Sequence, residues 1–278
     1  MSENRPLIFD YPAARRAHAR AARLAGERFL EIAALEGLAD RLSAVTRRFE
    51  RGLWIGDAVP EPVRAFAKEW QAADFDADEM LRAEGPFDLA VSLFSLQWIN
   101  DLPGALIQIN RCLRPDGLFM AALMGGETLR ELREAFAQAE IQTRGGVSPR
   151  VAPFADVRDL GHLLQRAGFA LPVADVERLV VRYRDLAMLV KDLRSHGFTN
   201  VMTERSRTPL RRDTLAALLA HYASHHADEA GKLRARFDTI YLTGWSPHES
   251  QQQPLKPGSA KARLADALGT AEHRLKRE

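Results

Sequence analysis

The sequence predicts an α/β chain built on an open, mostly parallel β-sheet. A strand–loop–helix–turn–strand unit between Phe87 and Met124 carries that prediction, and the amphipathic helices and strands that follow it support it. At 278 residues the chain is long enough to bury a full α/β core.

From Pro12 to about Val45 the pattern is helical, with Phe29, Ile32, Leu35, Leu38 and Leu42 spaced along one face. Gly52-Leu53-Trp54-Ile55 then reads as a strand running into a Gly56-Asp57 turn. Glycine suits such a turn because it lacks a Cβ and accepts positive φ. The positions that follow hold Ala58 and Pro60 rather than further glycines. Val63 to Trp70 is predicted to be one helix, Gln71 to Asp74 a short strand with an acidic end, and Asp78 to Leu81 the remnant of a third strand. Two further strands with their crossovers would need about 50 to 60 residues. The stretch from Gly56 to Asp88 is roughly half that, so some element must be abbreviated.

Phe87-Asp88-Leu89-Ala90-Val91-Ser92 is an apolar run expected of a strand buried on both faces, with Asp88 as a structural carboxylate at its start. Asn100-Asp101-Leu102-Pro103 is a helix-start signal, and Leu106, Ile109 and Leu113 form one apolar face. Arg114-Pro115-Asp116-Gly117 is predicted to be a turn, and Leu118 to Met124 a second buried strand. A helix is expected to begin near Glu127 or Thr128, after Gly125-Gly126, and another spans Asp156 to Phe169 with a glycine near its end. A strand over Val176–Tyr183, helices over Leu186–Leu193 and Arg212–Tyr222, and a closing strand over Phe237–Gly244 complete the order. The polar residues from 250 to 278 are expected to be disordered.

Composition excludes some classes. Net charge is +2, from 39 basic and 37 acidic residues, which does not suggest a nucleic-acid partner. The lone cysteine, Cys112, reads as a core thiol, and a chain with one cysteine forms no internal disulfide. No apolar run approaches the roughly 20 residues of a membrane span. The arginines at positions 5, 15, 16, 20 and 23 raise a targeting segment, against which Glu3, Asp10 and the scarcity of hydroxyl residues weigh. His221, His225 and His226 have a spacing that can chelate zinc, but a solvated helix face is the better reading and no metal set is expected.

Strand, loop, helix, turn and strand over residues 87–126 resemble the fourth and fifth strands of class I S-adenosylmethionine-dependent methyltransferases. The implied fold is their Rossmann-like sheet, abbreviated around its second and third strands, with N-terminal helices and a helical lid. The corresponding divisions are an N-terminal cover over 1–50, a core over 51–126, a lid over 127–175, completing strands and helices over 176–249, and the tail. Carried onto this sequence, the methyl donor would meet Gly56, Asp74, Ser92, Leu93 and Trp98, with Trp98 either covering adenine or plugging the core. The departure at Ala58 and Pro60 predicts that S-adenosylmethionine binds weakly or not at all.

Four further motifs narrow the resemblance: Ser95-Leu96-Gln97-Trp98 with Asn100-Asp101-Leu102-Pro103, Gly125-Gly126-Glu127-Thr128-Leu129, Asp159-Leu160-Gly161-His162-Leu163-Leu164, and Gly244-Trp245-Ser246-Pro247-His248-Glu249-Ser250-Gln251. Over roughly residues 9 to 260 they resemble the methyltransferase-like assembly factors of respiratory complex I. More distantly the chain is similar to the malonyl-carrier-protein methyltransferases of biotin synthesis. The first resemblance implies a subunit of the respiratory NADH:quinone oxidoreductase as partner, bound or modified, with one branch associated with arginine hydroxylation. The second implies methylation of a small-molecule or carrier-bound carboxylate; a non-catalytic scaffold is the third possibility. Gly125, Gly126, His162, His248 and Glu249 are the candidate substrate or partner residues, and no residue stands out as catalytic. The expected location is the cytoplasm of a bacterium, or the mitochondrial matrix of a eukaryote.

Overall fold

The structure, a computed structural model, describes residues 7–24 and 26–252. Two helices open the chain: α1 (Tyr11–Ala21), capped by the Asp10 carboxylate on the Ala13 N–H, and α2 (Phe29–Ser43). Then come β1 (Phe49–Ile55), the single turn α3 (Glu61–Arg64), β2 (Ala67–Ala73), β3 (Phe87–Leu93), α4 (Leu102–Cys112) and β4 (Leu113–Gly125). The second half runs α5 (Arg130–Arg144), α6 (Val157–Arg166), β5 (Ala170–Tyr183), α7 (Leu186–Ser195), α8 (Arg212–His226) and β6 (Leu233–Trp245). The sheet order is β2-β1-β3-β4-β6-β5; the first four strands are mutually parallel and β6 is antiparallel to both of its neighbours.

The period-two pleat explains why the central strands read as unbroken apolar runs. Along β4, Leu118, Met120, Ala122 and Met124 face the core beneath α2, α5, α7 and α8, while Phe119, Ala121 and Leu123 face the core beneath α4 and α6. Asp88, 6% exposed, ties the strand starts together: Oδ2 accepts from the Glu50 and Arg51 N–H groups, and Oδ1 meets Arg114 Nη1 at 3.0 Å. It is structural, as its position at the strand start predicts.

Four local expectations are corrected. Val63–Trp70 is not one helix: α3 ends at Arg64, and β2 pairs with β1 from Phe49↔Ala67 to Ile55↔Ala73. Val63, Phe66, Ala67 and Trp70 fall at helical spacing, but pairing along the open edge of β1 overrides that local signal. Of the second and third strands, β2 is complete and only the third is reduced, to an isolated Phe75↔Leu81 bridge. On α2 the buried face is Leu30, Ala34, Leu38 and Leu42, leaving Ile32 exposed. The Pro-Asp-Gly turn is absorbed into β4 as a bulge, the register jumping from Phe87↔Leu113 to Leu89↔Leu118.

The described residues up to Pro247 form one compact unit, and His248 begins a second of which only His248–Gln252 are described. The predicted tail beyond Gln252 lies outside the described residues. No described helix is long and apolar enough to cross a membrane.

Candidate functional site

At the C-terminal ends of β1, β2 and β3 a cleft of about 840 Å³ opens beneath α1. Parallel sheets place ligands here because crossover loops converge at the strand ends. Gly56 closes β1 at φ +150°, its N–H donating to the Ala73 carbonyl at 2.8 Å; a Cβ there would approach Trp54 Nε1 to 2.9 Å. β2 delivers Asp74 to the same wall, where Oδ1 accepts from the Phe75 N–H at 2.9 Å. β3 supplies Leu93, and Phe94 at φ +50° turns the chain into the short 3₁₀ helix Leu96–Trp98. Ser95 Oγ donates toward the Ile55 carbonyl at 3.3 Å, joining this loop to the end of β1.

The roof is held by side chains whose part in the cleft no sequence signal marks. Tyr11 Oη donates to the Phe75 carbonyl at 2.7 Å. Asn100 Oδ1 accepts from both Ile8 and Phe9 N–H groups at 2.8 Å. Arg15 Nη1 sits 2.8 Å from Asp74 and 3.7 Å from Asp57. Burial raises the Asp74 carboxyl above its usual range, and Arg15 opposes that rise. Burial also holds His18, on the same helix, below the usual imidazole range, so it is neutral at pH 7. His196, 1% exposed, lines the far wall: Nε2 accepts from the Leu30 N–H, which leaves Nδ1 as the donor to the Asp192 carbonyl at 2.8 Å. A lone histidine at a helix end carries no spacing signal that would have marked it.

Trp98 is 7% exposed, set edge-on to Phe9 (5.4 Å between centroids) and tilted against Phe154 and Phe198. It walls the cleft rather than lying open across it. Behind Trp98 and Phe198 lies a second cavity of about 250 Å³, lined mainly by apolar side chains such as Met124, Leu132, Phe154, Leu193 and Phe237, with Arg150, Arg194 and Asn200 also at its wall. No carboxylate lines it.

The cleft therefore brings together Gly56, Asp74, Leu93 and Trp98. Ser92 is fully buried and stays out of the cleft wall. Gly125 and Gly126 serve the backbone: a Cβ on Gly125 would overlap Ile240, and Gly126, at φ +53°, donates to the Ala155 carbonyl. They set Thr128 beside β6, where its Oγ receives the Asp238 N–H at 3.0 Å. His162 lies exposed on α6, outside both cavities. His248 and Glu249 are exposed in a turn of the C-terminal unit, with His248 Nδ1 2.7 Å from Ser250 Oγ. Cys112 is half-buried and burial raises its thiol, as befits a packing residue.

A model of the methyltransferase domain matches residues 8–172, more than half of the chain. The chain belongs to the methyltransferase-domain family. Among curated relatives it is 45% identical over 177 residues to the mitochondrial arginine-hydroxylase NDUFAF5 of Homo sapiens, covering 64% of this chain and 51% of that protein. The protein of the same name from Danio rerio is 43% identical over 183 residues, 66% of this chain and 57% of that one. A malonyl-[acyl-carrier protein] O-methyltransferase of Laribacter hongkongensis is 35% identical over 195 residues, 70% and 63% of the two chains. The chain thus spans about half the length of the NDUFAF5 relatives. The YcgJ protein of Bacillus subtilis superposes with a TM-score of 0.50 at 12% identity, over 77% of this chain and 99% of that one, which shows the shared fold.

The methyltransferase-domain family implies S-adenosylmethionine. The cleft has room for such a ligand, since cofactor pockets span about 300–1,000 Å³. Its wall does not fit one as it stands. The carboxylate that would accept ribose hydroxyls is bonded to Arg15. The turn after Gly56 leads into a helix of four residues with Pro62 in its first turn, and the third strand, whose exit would wall an adenine, is a single bridge.

Proposed function

We propose that this methyltransferase-fold chain is an assembly protein that engages a subunit of the respiratory NADH:quinone oxidoreductase through an arginine, with S-adenosylmethionine bound weakly or not at all. One observation carries the reading: the cleft wall already receives a guanidinium, that of Arg15, between Asp74 and Asp57. A carboxylate pair matches a guanidinium in charge and geometry. The name of two of its curated relatives, arginine-hydroxylase, supports it. On this reading Arg15 occupies the partner's place until the partner displaces it.

The second cavity favours an alternative, methyl transfer to a carboxyl group. Its lining offers arginines and no carboxylate, which suits an acyl group ending in an acid, and the malonyl-[acyl-carrier protein] methyltransferase relatives point the same way.

Calorimetry on the purified protein separates the two. For the first reading, Arg15→Ala should bind an arginine-bearing subunit several-fold more tightly than wild type, while S-adenosylmethionine shows no saturable binding below millimolar levels. Saturable micromolar binding of the donor, with arginine-bearing subunits ignored by both proteins, would establish the second reading instead.

A further inference from the structure

The second cavity, about 250 Å³ behind Trp98 and Phe198, differs from the cleft in the state of its polar groups. Its body is apolar: Met124 and Phe237 are each 1% exposed, with Leu132 and Leu193 buried beside them. Most polar side chains at its wall are already engaged. Arg150 Nη2 lies 2.7 Å from Glu140 Oε1, so that charge is cancelled within the wall. Asn200 Nδ2 donates to the Pro149 carbonyl at 2.7 Å, and its Oδ1 accepts from the Met202 N–H at 3.0 Å. The Thr128 hydroxyl donates to the Gly125 carbonyl at 2.8 Å and receives the Asp238 N–H at 3.0 Å. Two groups remain: among the described residues no side-chain hydrogen bond or ion pair engages the Arg194 guanidinium or the Thr199 hydroxyl. Arg194 lies in the last turn of α7 and is exposed, which puts it where the cavity meets solvent. Long cationic side chains lay their stems on apolar surface and keep the charged head in water.

Size narrows what fits inside. A dry apolar cavity of about 150 Å³ accepts benzene, so about 250 Å³ takes roughly ten heavy atoms. A malonyl group is shorter and carries a carbonyl at each end. It would leave much of the volume unfilled and set polar atoms against Met124, Leu132 and Phe237, which offer no donor. A longer hydrocarbon body with one anionic end suits the chamber better, the body enclosed and the anion at the mouth.

We propose, resting on the second reading of this cavity as a site for an acid, that its ligand is a monocarboxylic acid with a hydrocarbon body of about eight carbons and its carboxylate on Arg194. Enclosing the hydrocarbon supplies most of the affinity. The ion pair stays solvated, so it selects between ligands and adds little strength.

Octanoate, octanol and butyrate, titrated calorimetrically into the full chain, separate the two contributions. Each buried methylene is worth about fourfold in affinity, so octanoate should bind roughly 100-fold more tightly than butyrate. A solvated ion pair is worth up to about fivefold, and octanoate should exceed octanol by that margin. Arg194→Ala should bring octanoate down to octanol and leave octanol unchanged, with the thermal midpoint kept because Arg194 is exposed. With isotope-labelled methionine methyls, octanoate should shift Met124 and leave the exposed Met80 and Met188, outside the cavity, in place. Val151→Trp, at a half-buried loop position on the wall, should fill the chamber and abolish saturable binding. Equal affinity for octanoate and octanol in the wild type, a preference that survives Arg194→Ala, or an unmoved Met124 methyl would each overturn the assignment. Failure of the second reading shows separately: octanoate then binds as described, yet no methyl ester forms when S-adenosylmethionine is added.

Discussion

Glu140 shows how single residues here do opposite work from what burial alone dictates. Its side chain is fully buried, and burial by itself would raise the carboxyl. The Ser148 N–H at 2.6 Å, the Ser148 hydroxyl at 2.8 Å and Arg150 Nε at 2.8 Å outweigh that and hold it below its usual range. A carboxyl lowered on folding stabilises the protein above its unfolded value, near 4.5, and loses that contribution as pH falls through the folded value. Glu140→Gln leaves the Arg150 charge buried without its counter-ion and should cost about 3 kcal/mol at neutral pH. Urea midpoints of the variant should also fall less steeply in acid than those of wild type. Asp74 runs the other way: its carboxyl is raised on folding, so its contribution declines as pH rises above the ordinary carboxylate value. Asp74 was legible because an acidic residue follows a short apolar stretch. Arg15 was not, because nothing in an Ala/Arg-rich helix says which arginine reaches a carboxylate 59 positions away.

Elements show where helix propensity and packing disagree. Gly37 sits within α2, where alanine would favour the helix by about 1 kcal/mol. A Cβ there would overlap the Tyr241 hydroxyl, and Tyr241 cannot step aside: the Arg41 guanidinium lies 3.5 Å from its ring centroid and its hydroxyl bonds Glu177 at 3.3 Å. Overpacking costs typically about 1–3 kcal/mol, so Gly37→Ala should be destabilising on balance, read as a lowered thermal midpoint. The same contest explains the error at β2. Val63, Phe66, Ala67 and Trp70 carry a helical period, and the decisive partner, the open edge of β1, is invisible to any local window. β3 and the end of β4 were legible because burial on both faces leaves an unbroken apolar run, and α4 because Asp101 and Pro103 mark its start.

Over the whole molecule, the cleft exists because the N-terminus returns to the strand ends. Asn100, at the start of α4, accepts from Ile8 and Phe9 and donates to the Phe9 carbonyl at 3.2 Å, and Asp10 is held by Arg205 at 2.9 Å and by its N–H on the Val201 carbonyl. Asn100→Ala removes the first set, a loss of about 2 kcal/mol at roughly 1 kcal/mol for each of two good bonds. Amide exchange across α1 should then quicken by about 30-fold, with the β3 and β4 amides unchanged, if α1 opens as a local unit. Exchange quickening equally in the central strands would show instead that α1 and the sheet open together.

The sequence by itself determined the parallel sheet, its two buried central strands, an abbreviation somewhere around the second and third strands, and the family, because periodicity, caps and motifs act over a few residues at a time. Only the tertiary structure decided that β2 is a strand, that Arg15 and His196 share a cleft with Asp74, that Ser92 and His162 stay out of its wall, and that β5, among the described residues, pairs only with β6. Those outcomes depend on which distant segments compete for the same surface, and that competition is settled by packing and desolvation across the whole chain.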